Sequence, residues 1–199
     1  MLKLPKFAFA LALSFGASIN LASAETASDK AFAAAMENMM QGMMKPPTGK
    51  PDLDFVTGMI PHHEGAVAMA KVEKEFGKDP AMLKLADDVI AAQTSEIALM
   101  KKWLSAKKLS ASTAVAAAKT ASTGAMDKMM KDMDVKPMGN ADVDFAKGMV
   151  PHHQGAVAMA NIELQYGTDA DVKKLAEGVV KSQSEEITQM KAWLASHGG

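Results

Sequence analysis

The chain has 199 residues, with 18 Met and five His but neither Cys nor Arg, and its 22 Lys stand against 23 Asp and Glu. A balance this close to neutral, without the Arg that makes most bidentate phosphate and guanine contacts, speaks against a nucleic-acid partner. The absence of Cys removes disulfides and thiolate metal sites and leaves thioether and imidazole as the soft donors.

Residues 1–24 read as a secretion signal. Lys3 and Lys6 make a basic start, Phe7 to Phe15 an apolar core, and Ala22-Ser23-Ala24 a small-x-small cleavage signature. The apolar run is short for a membrane span. Cleavage after Ala24 starts the mature chain at Glu25, removes two Lys and leaves a mildly acidic periplasmic or secreted protein with no membrane anchor. In an oxidising compartment Met keeps a soft sulfur that cannot be cross-linked, although it still oxidises to the sulfoxide.

The remainder repeats itself. Asp52–Leu104 aligns without a gap on Asp142–Leu194, an offset of 90, with about half the positions identical. Upstream, Met36, Met39, Met40 and Met43 match Met126, Met129, Met130 and Met133. These boundaries give a first helical unit at 25–107, a linker at 108–123 rich in Ala, Ser, Thr and Lys, and a second unit at 124–199. The Ala content of the linker is compatible with some helix.

Each unit reads as three helices. The first runs over about 29–44 and stops before Pro46 and Pro47. The second runs over about 52–76, with Asp52 as N-cap and Gly77 as C-cap, and the third over about 80–107, with Asp79 as N-cap and Pro80 at the first helical position. Asp142, Gly167 and Asp169 occupy the same points in the second unit. No stretch alternates with period two, so no strand is expected. Units this small are near the lower limit for an independent core, which favours packing of the two units together or a homo-oligomer.

The conspicuous motif is Met-x-Pro-His-His, at Met59–His63 and again at Met149–His153. At roughly 100° per residue, His62, His63, Ala66, Met69 and Ala70 share one helix face with Met59. Met100 shares a face of the third helix with Gln93 and Glu96, and antiparallel packing brings it towards the first turns of the second helix. Met149, His152, His153, Met159 and Met190 repeat the set. Pro61 removes the partner of the Thr57 carbonyl, so the helix either kinks or restarts there. Adjacent histidines point about 100° apart, so one of each pair is the expected ligand, and the choice between them stays open. Thioether with imidazole suits Cu(I) better than zinc or iron.

Met39, Met43, Met129 and Met133 belong to i, i+3, i+4, i+7 stripes. Such a stripe serves as core packing or as further weak copper sites. Glu73 and Glu163, like Glu96 and Glu186, serve as surface charge or as support for an imidazole N–H.

The run Asp54-Phe55-x-x-Gly58-Met59-Ile60-Pro61-His62-His63-x-Gly65-Ala66-x-x-Met69-Ala70, followed by Gln93-x-x-Glu96-Ile97-x-x-Met100-x-x-Trp103-Leu104, resembles the bacterial family called domain of unknown function 305. Asp144–Ala160 and Gln183–Leu194 resemble it again. The resemblance implies an all-α fold of two tandem ferritin-like bundle units. The tandem copies resemble the family's exported, copper-binding (CopM-like) subgroup. It implies a copper-sequestering or copper-delivering protein, not an enzyme, that supports copper tolerance and has a copper-exporting or copper-accepting protein as partner. A structural or partner-binding bundle and a metal-dependent oxidoreductase are the competing readings.

Overall fold

The computed structural model describes residues 26–106 and 114–198, and the expected signal segment lies outside them. Within the described residues the chain is all helical. It forms α1 (Ala27–Met43), α2 (Pro51–Phe76), α3 (Pro80–Ala106), α4 (Ala116–Asp132), α5 (Ala141–Tyr166) and α6 (Ala170–His197). None of these helices is long and apolar enough to cross a membrane.

Local chemistry sets most ends. Thr26 and Asp29 form a reciprocal capping box at α1. Asp79 Oδ1 accepts from Ala81 N and Met82 N, and Asp169 Oδ1 accepts from Asp171 N and Val172 N, so both act as the expected N-caps. Gly77 and Gly167 close α2 and α5. The loops before α2 and α5 turn at Gly49 and Gly139, which hold φ of 85° and 76°, a region that favours glycine. Asp54 then fastens the first loop by accepting from Thr48 N and Gly49 N, and Asp144 fastens the second by accepting from Met138 N and Asn140 N.

Two expectations need correction. Asp52 and Asp142 are not N-caps: α2 starts at Pro51 after Lys50, and α5 is capped by Asn140, whose side chain accepts from Val143 N. Proline at the first helical position requires no N–H partner, so the start moves one residue upstream. α2 runs unbroken through Pro61, so the reading in which a second helix restarts there does not hold. α4 begins at Ala116, so the helix that the Ala content of the 108–123 stretch allows is present from there on. Its Ala-rich start carries high helix propensity, and the backbone of Val115 is tied to Gly49 O at 2.6 Å.

α2 and α5 form the centre. They pack on each other, and each carries the other two helices of its own repeat. They run antiparallel, because Asp52 at the start of α2 accepts from Thr168 N and Asp169 N beyond the end of α5. Asp142 makes the reciprocal contact with Lys78 N and Asp79 N. These carboxylates cap the neighbouring repeat instead of their own. Small residues let the two helices approach. Ala66, Ala70, Ala156 and Ala160 are fully buried, and a Cβ on Gly58 or Gly148 would come within 2.9 Å of the Met159 or Met69 methyl.

Candidate metal centre

The antiparallel seam brings the two His pairs together at the middle of the molecule. His62, His63, His152 and His153 are all fully buried. The His62 and His152 rings lie with centroids 3.7 Å apart. His152 Nε2 donates to the His62 carbonyl at 3.0 Å. His62 has no hydrogen-bond partner at either ring nitrogen. Burial, then the neighbouring His63 and His153, holds the pKa of His62 well below the ordinary imidazole value. Burial, then His62, does the same for His152. Both rings are therefore neutral at physiological pH. A neutral imidazole with a free lone pair is a metal ligand in waiting.

His63 and His153 are held differently. His63 Nε2 donates to Glu96 Oε2 at 2.7 Å, and His153 Nε2 donates to Glu186 Oε2 at 2.5 Å. Each bond orients its ring and leaves Nδ1 as the open nitrogen, with no other partner. The two pairs therefore do the same thing in both repeats: the first His meets its counterpart and the second is steered by a glutamate.

The methionines divide into three groups. Met59 and Met100 share one apolar cluster with Phe55, Val56 and residues of α5 and α6, with Met159 at its edge. This agrees with antiparallel packing of α2 and α3. Met69 does not join them. It lies in the opposite cluster with Met149 and Met190, its methyl against Gly148. Helical periodicity gave its face, but the facing helix belongs to the other repeat. Met39, Met43, Met129 and Met133 form a third cluster that joins α1 and α4, with Met36, Met40 and Met159 packed against it.

That third cluster reaches the histidines. A Cβ on Gly155 would lie 2.8 Å from Met129 Sδ and 3.4 Å from His62 Nε2. A Cβ on Gly65 would lie 3.0 Å from Met39 Sδ. The glycine two residues after each His pair thus lets a methionine from the first helix of the same repeat settle on α2 or α5. The unpartnered His62 nitrogen and the Met129 sulfur flank one point. Among the described residues no three His, Asp or Glu converge on a metal position.

One polar feature was not assigned a role from sequence, and one was read as surface charge or imidazole support. Gln93 and Gln183 are buried with both amide atoms unpartnered, one turn before Glu96 and Glu186. Glu73 and Glu163 are buried beside Asp142 and Asp52, and no N–H or O–H donor meets their oxygens. Identity at the 90-residue offset was the available signal for both.

Fold and seam together define a class: a helical bundle of two repeats packed antiparallel through α2 and α5, with four buried histidines at the seam. The family model Domain of unknown function (DUF305) matches residues 52–194. The chain belongs to the DUF305 family. It is similar to CopM in its Cu(I)-bound form, with 32% identity, a TM-score of 0.59, and coverage of 74% of this chain and 98% of CopM. It is also similar to a DUF305 fragment from Deinococcus radiodurans, with 26% identity, a TM-score of 0.57, and coverage of 76% of this chain and 99% of the fragment. An uncharacterized protein of Acanthamoeba polyphaga mimivirus is 41% identical over 58 residues, which are 29% of this chain and 38% of that protein. The chain thus spans well under half of that relative.

Proposed function

We propose that this protein binds copper, as Cu(I), at the His–Met centre between its repeats, and that it sequesters or delivers the ion outside the cytoplasm. One observation carries the reading: both ring nitrogens of the neutral, buried His62 lack a partner, and its Nε2 and the Met129 sulfur both approach Gly155, 3.4 Å and 2.8 Å from where a Cβ would stand. An unsatisfied buried nitrogen costs about 1–3 kcal/mol, and a soft ion is the ligand this donor set favours. CopM has Cu(I)-, Cu(II)- and Ag-bound forms, which supports copper as the cargo.

His62 with Met39 and Met129 would hold the ion, and Met43 and Met133 would complete a sulfur layer around it. His63 and His153 would steady the floor of the site through Glu96 and Glu186. Met59, Met69, Met100, Met149 and Met190 then serve as core packing. The reading assigns no catalytic group. Export follows the secretion signal in the sequence.

Cu(I) titration of the mature protein against a competing chelator tests this. Changing His62 and His152 to Ala, or Met39 and Met129 to Leu, is expected to weaken binding by at least about tenfold, which is about 1.4 kcal/mol. Wild-type affinity in both double variants would remove the proposed centre. Cell fractionation with and without residues 1–24 checks the location.

A further inference from the structure

The buried sulfur cluster cannot be reached directly, since Met39, Met43, Met129 and Met133 are each 5% exposed or less. Two cavities flank it. One of about 400 Å³ is lined by Met43, Met126, Met129 and Met159, and one of about 310 Å³ by Met36, Met40, Met69 and Met133. The repeat offset maps Met36 on Met126, Met69 on Met159 and Met43 on Met133. The molecule has therefore built the same thioether-lined cleft on both sides of the seam. Met36, Met40, Met126 and Met159 are half-buried, so each sulfur stands between solvent and the sealed cluster.

Space filling does not account for this. Methionine used as core filler closes gaps, and here four of them border a void in each repeat. Thioether sulfur needs no deprotonation and favours soft monovalent ions. We infer that the two clefts are loading sites where a soft monovalent cation, Cu(I) or Ag(I), is caught on half-buried methionines before it passes to the buried cluster. This rests on the copper reading and extends it to Met36, Met40 and Met126. The charged lining distinguishes the two sides. The second cleft carries only carboxylates, Glu37, Asp134 and Asp144, whereas the first also carries Lys45. A cation is drawn more strongly to the second, which makes it the faster loader.

Stepwise Ag(I) addition to the full mature chain, labelled with ¹³C at the methionine methyls and followed by NMR, tests the inference. Single Leu variants assign the signals. The Met36, Met40, Met126 and Met159 methyls are expected to shift at the first additions, those of the second cleft before those of the first. The triple variant M36L/M40L/M126L is expected to lose these shifts and to fill the Met39 and Met129 positions more slowly. Shifts confined to Met39, Met43, Met129 and Met133 would overturn the loading sites and leave the copper centre standing. No shift at any methionine would overturn both.

Discussion

At the residue scale, glycine decides how close sulfur comes to imidazole. A Cβ on Gly65 would sit 2.7 Å from both Met39 Cβ and Met39 Cγ. Met39 Cβ cannot retreat unless the α1 backbone moves. Gly65→Ala gains up to about 1 kcal/mol of helix propensity, against an overpacking cost of about 1–3 kcal/mol. The variant is expected to melt at a lower temperature than wild type. Gly155→Ala meets Met129 at Cγ and Sδ, further along a flexible side chain, so its stability loss is expected to be the smaller of the two. Gly124→Ala is the control. It adds a Cβ with nothing within 4 Å on a helix, and should gain about 0.5–1 kcal/mol. Thermal melts of the three variants check the order; a Gly65→Ala as stable as Gly124→Ala would contradict the contact.

At the scale of the helix pair, the ends of α2 and α5 carry buried acids. Glu73 has its pKa raised to about 8, first by burial and then by the Asp142 carboxyl. Glu163 is likewise raised to about 8, first by burial and then by Asp52. The other charged groups acting on them are Asp79 and Lys74 at Glu73, and Lys173 and Asp169 at Glu163. A carboxyl with a raised folded pKa holds its proton more tightly when folded. Its contribution is fully present below the ordinary value of 4.5 and is lost as pH rises towards about 8. Urea midpoints should therefore fall between pH 5 and pH 8 and then level. The double variant E73Q/E163Q should show a flatter profile, and an equal slope in both proteins would contradict the assignment. Much of this scale was legible in the sequence. The helix ends at Gly77, Asp79, Gly167 and Asp169 follow from local chemistry, and the third helix turned Met100 towards Met59. Asp52 and Asp142 were misplaced because their partners lie on the other repeat, where no local pattern points.

At the scale of the whole molecule, what the sequence could not supply is the seam. The repeat was evident from the 90-residue offset, but periodicity gives the face of a helix and not its neighbour. Each repeat was therefore read with its own site, Met59 and Met69 around one His. The fold sends Met69 to the opposite repeat and sets His62 against His152. It also merges the Met stripes of α1 and α4 into one cluster. The proposed metal centre thus belongs to neither half alone. Separately expressed halves, 25–106 and 114–199, are expected to bind Cu(I) weakly on their own and to regain affinity when mixed. Full affinity in either isolated half would refute a shared centre.

The reciprocal carboxylate caps carry one more consequence. Asp52 reaches across to the α5–α6 turn, and Asp142 returns the same grip on the α2–α3 turn. Every half therefore bears both a hook and an eye, which is the defining property of an isologous contact. A surface that fits its counterpart in the same chain also fits the counterpart in another chain. Two molecules can then trade halves and keep the same seam contacts. An exchanged dimer would hold two of the proposed centres, each built from two chains, and higher protein concentration would favour it.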